Sequence, residues 1–261
     1  MLIFTGVTSL ACLIYLQISF RDQVYGSRFD VVVRGMTDIY PCFVLICCPA
    51  VSAWGIANSM RDRAWVYFAP RANTRQLLAQ ALRSAFTGAF AMCSVSAGVV
   101  IIGSLLTSLE PNIMWGSHAG LLGAQDLSFE AERRWISTEG FSGILSPIAG
   151  TSLILFYAVY ALWMGLWGGL LSLMASAIST IVPWPLLALV SPLVWFELGS
   201  IILGAVRLWG GGFDFDLVMF PMVAGWQPVV FPILAGLFYL LPLAAALLWI
   251  WRRFDRLSGC Q

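Results

Sequence analysis

Six apolar runs divide this chain, at about residues 2–20, 39–60, 84–108, 148–178, 183–206 and 229–251. A helix needs about 20 apolar residues to cross the hydrocarbon core of a bilayer, and each run is of that order. Repetition of such runs between short polar loops constrains the chain to an all-α integral membrane fold with six transmembrane helices. Only 10% of the residues are charged and 60% are hydrophobic, whereas a soluble domain carries about a quarter charged residues. The chain must therefore face lipid over much of its area. The runs follow one another from end to end, so residues 1–261 read as a single transmembrane domain. The first run has no basic leader and no small-residue cleavage site, and reads as a retained span rather than a secretory signal.

Arginine placement orients the spans, because basic residues collect on the cytoplasmic side. With both termini inside, the inner segments hold Arg61, Arg63, Arg71, Arg75, Arg83, Arg252, Arg253 and Arg256. The outer loops hold Arg21, Arg28, Arg34, Arg133, Arg134 and Arg207, together with most of the acids. The fourth run is too long: 31 residues of helix rise about 46 Å, against a core of about 30 Å. It must tilt, break or project. Pro183 and Pro185 then predict a tight cytoplasmic turn before the fifth run. The outer loop 109–147 is expected to hold a short polar helix at Phe129–Trp135, and the aromatic loop 207–228 an interfacial or re-entrant segment.

The residue inventory removes several chemistries. All 14 basic residues are arginine. Without lysine there is neither a phosphate-binding Gly-Lys-Ser/Thr loop nor a Schiff-base lysine. His118 is the single histidine, so no paired-histidine metal site is possible. Gly140-Phe-Ser142-Gly143 has the G-x-S-G form of a membrane serine protease, but the sixth run supplies no histidine to activate the serine. Cys12, Cys42, Cys47, Cys48, Cys93 and Cys260 form no C-x-x-C pair. They read as small buried residues rather than as a disulfide framework or zinc site. Gly165 and Gly169, followed by Ser172 and Ser176, place small residues on one helix face, which suits close helix packing within the chain. Glu197 is the only acid deep within an apolar run. A membrane-buried acid is a functional candidate, for a cation, a proton or a neighbouring helix.

Residues 61–83 (RDRAWVYFAPRANTRQLLAQALR) carry five arginines and one acid between two apolar runs. Arg61–Ala69 reads as a short amphipathic helix with Trp65 and Phe68 on one side, stopped by Pro70. Asn73 or Thr74 then caps a new helix that runs into the third span. Two readings of the segment stand side by side: a basic loop anchored by its aromatics, or a docking element for a soluble partner.

The arrangement resembles the type-2 export permeases of ATP-binding-cassette transporters. Those subunits have six spans, both ends inside, and a short coupling helix between spans 2 and 3 that fits a groove on the ATPase. Asp62, Trp65 and Tyr67, then Arg71 and Arg75, match the acid, aromatics and spaced basic pair of that region. Tyr160–Leu193, with its small-residue-rich span, brief turn and apolar run to Pro192, is similar too, as is Phe141–Pro147. Two departures stand beside the likeness: the sequence starts within the first run, before which many members carry a basic amphipathic helix, and Gln80 or Arg83 stands near where a lysine is usual. The resemblance implies a multi-pass subunit of a prokaryotic cytoplasmic membrane, with no catalytic, metal or nucleic-acid site of its own. ATP and Mg would bind a separate ATPase, and a second permease chain, identical or not, would complete the pathway. Arg61, Asp62, Arg63, Trp65, Tyr67, Arg71 and Arg75 would form the ATPase contact. The alternatives are an autonomous carrier or channel using Glu197, or a membrane scaffold subunit without a pathway.

Overall fold

The computed structural model describes residues 2–22, 28–37, 40–61, 74–107, 145–182, 184–207 and 230–258. These residues are almost entirely helical, and no strand occurs among them. In chain order the helices are α1 (Leu2–Asp22), α2 (Arg28–Thr37), α3 (Tyr40–Cys42), a π-helical turn (Phe43–Cys47) and α4 (Cys48–Arg61). Then come α5 (Thr74–Thr107), α6 (Ser146–Thr151), α7 (Leu153–Ile181), α8 (Pro185–Arg207) and α9 (Val230–Ser258). Among the described residues, Gln76–Leu106, Leu153–Ile181 and Pro185–Ile202 are long and apolar enough to cross a membrane. Thr5–Tyr15 and Gly236–Arg252 are shorter apolar stretches. This is the composition of a multi-pass helical membrane protein.

Local chemistry explains most of the boundaries. Pro49 has no N–H to offer the Leu45 carbonyl four residues back, and the π-helical turn lies just before it. The overlong fourth run breaks at Ser152, whose backbone is extended (φ −160°, ψ 126°). The Ser152 hydroxyl accepts the Leu155 N–H at 3.4 Å and so caps α7. α7 ends at Ile181, and Pro185 opens α8 at its first position, where its missing N–H is unneeded. Inside α8, Pro192 leaves the Ala188 carbonyl without its usual donor; the Ser191 hydroxyl donates to that oxygen at 2.7 Å. α9 continues past the expected end of the sixth run to Ser258 and takes Arg252, Arg253 and Arg256 into its last turns.

One element departs from expectation. Residues 21–38 read as a polar loop, yet Arg28–Thr37 folds into α2. Val31, Val32 and Met36 are fully buried there, on the side that packs against α5. Their spacing, i, i+1 and i+5, is helical, and the charged neighbours in the sequence mask it.

α7 is the hub. It packs against α4, α5, α6, α8 and α9. Its N-terminal half has an exposed edge at Ile154, Leu155, Leu162 and Leu166, while no residue from 167 to 179 is exposed. The contact with α5 is made through glycines. A β-carbon added at Gly165 would collide with the Ser94 hydroxyl and lie 2.8 Å from the Phe90 carbonyl oxygen. At Gly168 it would meet Cys93, and at Gly169 it would lie 2.8 Å from the Phe86 ring. The small-residue face is thus an intrachain seam, which brings the two backbones together as small residues do between membrane helices.

Candidate functional site

The candidate site lies around the basic segment that joins α4 to α5. Arg61 is the last residue of α4, and Arg75 is in the first turn of α5. Asp62, Arg63, Trp65, Tyr67 and Arg71 lie outside the described residues, as do His118, Phe129–Trp135 and Gly140–Gly143. α5 begins at Thr74; Asn73, the cap position that precedes it, lies outside the described residues.

α5 has 34 residues, about 51 Å of continuous helix, so a 30 Å hydrocarbon core leaves much of it outside. Its exposed side changes character along its length. From 76 to 87 that side presents Gln76, Gln80, Arg83, Ser84 and Thr87; from 91 to 106 it presents Ala91, Val95, Val99, Ile102 and Leu106. Leu78, Leu82, Ala85 and Ala89 stay buried beneath the polar part. The polar turns form a stalk of about 20 Å that continues, without a break, into the apolar part. The helix therefore links the basic segment rigidly to the middle of the bundle.

The two arms of the segment are also tied to each other. The Tyr40 hydroxyl at the head of α3 donates to the Cys93 carbonyl at 2.6 Å and lies 2.7 Å from the Ser96 hydroxyl. The Ser96 hydroxyl also lies 3.3 Å from the Cys93 carbonyl oxygen, so the two hydroxyls and that carbonyl form one buried cluster. The Cys48 and Cys93 thiols are 2.8 Å apart and buried. Cys93 in turn touches the position of Gly168 in the hub. One residue of α5 thus meets both the preceding arm and α7. Sequence reasoning missed Tyr40 and Ser96, because the pair is separated by 56 residues and neither stands out locally. Replacing Tyr40 with phenylalanine is expected to lower stability by about 1 kcal/mol, the net worth of a hydrogen bond. Thermal unfolding in detergent measures this, with helical content unchanged at low temperature.

Glu197 lies near the middle of α8, and its side chain is exposed on the outside of the chain. The inner side of α8 carries Ala188, Leu189, Phe196 and Gly199. Tyr239 of α9 covers Gly199 and donates its hydroxyl to the Phe196 carbonyl at 3.2 Å. The structure therefore separates Glu197 from the α4–α5 arms and from the hub interior. Among the described residues, no three His, Cys, Asp or Glu side chains come together as a metal site. The buried polar groups on α7 include the hydroxyls of Tyr160, Ser172, Ser176 and Ser179 and the indole N–H of Trp167. They can take part in hydrogen bonds but cannot act as strong bases.

Comparison with protein-family models, with curated proteins and with solved structures finds no match to this chain, so its own residues carry the functional reading.

Proposed function

We propose that this chain is the permease subunit of an ATP-driven exporter, a six-span protein with both termini inside the cell. A separate ATPase would dock on the segment 61–75, and two permease chains would enclose the pathway. The observation that carries the reading is α5. One unbroken helix leaves the basic segment as a polar stalk, enters the apolar bundle and lies along the glycine face of the hub. A soluble partner that pulls on the segment would move α5 as a rod, and α7 with it. The chain does no bond chemistry in this scheme; ATP and Mg are held by the partner.

The rival carrier reading needs Glu197 beside a pathway through the chain. α8 turns that carboxyl to the outside of a single copy instead, which favours the permease reading. Mild-detergent purification of the tagged chain from its own host is expected to recover a soluble ATPase in a fixed ratio, with ATPase activity in the eluate. Recovery of the chain alone in a stable form, without that activity, would sink the proposal.

A further inference from the structure

α8 exposes a band of side chains on the outside of the chain, and five of them form one stripe: Leu187, Val190, Val194, Glu197 and Ile201. The steps between them are 3, 4, 3 and 4 residues. That is the 3.5-residue period with which one helix meets another along a left-handed seam. Four members are apolar, and the fourth position is a carboxylic acid. A single polar residue at such a position fixes register and partner in paired helices.

The rotation of α8 is set from behind. Gly199 is covered so closely by Tyr239 that an added β-carbon would lie 2.6 Å from the ring. Phe196 is buried against the same ring, at a centroid distance of 6.2 Å. With that side committed, Glu197 cannot turn inward. No hydrogen bond or ion pair joins its carboxyl to another described residue. In a bilayer-crossing helix of 23 residues, position 197 falls near mid-depth. Lipid tails there offer a carboxyl neither donor nor acceptor, one of the costliest placements in a membrane protein.

We propose that this stripe is the contact surface for α8 of a second copy of the same chain, with the two Glu197 carboxyls meeting at the two-fold axis. A two-fold contact requires a surface that complements itself. A pair of carboxyls does so when a proton lies between them, each group serving as the other's hydrogen-bond partner. Val190, Val194 and Ile201 flank the pair and set a side-chain-limited helix separation of about 8–10 Å, wide enough for two carboxyls. This gives the two-chain part of the permease reading a face and a residue, but it rests on α8 alone. ATPase binding without α8 pairing would overturn only the seam, and pairing without an ATPase would overturn only the permease reading.

The test is bismaleimide cross-linking of the full chain in its native membranes, with Val194→Cys and Ile201→Cys as reporters. Ile154→Cys, on an exposed part of α7, and the unaltered chain with its native cysteines serve as controls. A product with the mass of two copies, several-fold above both controls, is expected at both reporters. In the Ile201→Cys background, Glu197→Gln keeps a self-complementary amide pair and the cross-link. Glu197→Leu should weaken pairing by about three- to twentyfold, the range of hydrogen bonds between membrane helices. No cross-link above the controls, a product joined to a different protein, or undiminished pairing in Glu197→Leu would each overturn the proposal.

Discussion

Gly165→Leu is expected to separate α5 from α7 and leave a chain that cannot be recovered in a folded, monodisperse form. The reason is the identity of the atoms that face Gly165. A β-carbon there would lie 2.8 Å from the Phe90 carbonyl oxygen, which belongs to the α5 backbone and cannot swing away. The same seam is already filled at Gly168 by Cys93 and at Gly169 by Phe86. Gly165→Ala is the graded case. Overpacking costs about 1–3 kcal/mol, and the better helix propensity of alanine returns up to about 1 kcal/mol. A net loss of about 0–3 kcal/mol follows. Gly98→Ala on α5 is the contrast, since nothing lies within 4 Å of its added carbon; it is expected to be neutral or slightly stabilising. Recovery as a monodisperse species on size-exclusion chromatography decides the point for Gly165→Leu, and thermal unfolding in one detergent decides it for the two alanine variants. A Gly165→Leu chain as stable as the parent would mean that α5 and α7 do not meet through these glycines.

The same seam marks how far the sequence could be read. The apolar runs, the helix start at Thr74 and the turn before Pro185 are local properties, written in composition, capping and proline placement. Gly165 and Gly169 announced a close approach, but not that Phe86, Phe90 and Cys93 would be the atoms approached. The break at Ser152 was not singled out by the sequence, and it leaves α7 with 29 residues, about 44 Å, so the excess length visible in the sequence persists in the structure. α2 was hidden because Arg28, Asp30 and Arg34 surround its three buried apolar residues. The Tyr40–Cys93 and Cys48–Cys93 ties join residues 53 and 45 positions apart, a distance over which no pattern in one sequence speaks. Glu197 was conspicuous as the lone acid in an apolar run. Its direction was not, because the rotation of α8 depends on Tyr239, a residue of another helix.

Within the permease reading, Trp65→Ala and Arg63→Glu are expected to abolish ATP-driven transport while the chain remains folded and inserted. Both residues belong to the segment between the end of α4 at Arg61 and the start of α5 at Thr74. A large aromatic and an arginine are the residue types that dominate protein–protein contacts, where truncation of one anchor costs about 2 kcal/mol or more. ATPase binding should therefore fall about thirtyfold or further for Trp65→Ala. Arg63→Glu adds charge reversal and should be at least as severe. The effect ought to stop at the interface. The glycine contacts of α5 and the Tyr40–Cys93 bond lie farther along the helices, so melting temperature should match the parent within the error of measurement. Arg252→Ala, on the exposed surface of α9, removes a basic residue without touching the segment and should transport normally. Reconstituted vesicles holding the chain and its copurified ATPase give both readouts at once, hydrolysis and substrate movement. Hydrolysis that persists without transport, or an ATPase that no longer binds, would place the coupling step at residues 61–75. Normal coupling in both variants would reduce the segment to a basic loop obeying the charge rule for membrane topology, and the polar stalk of α5 would then need a different partner.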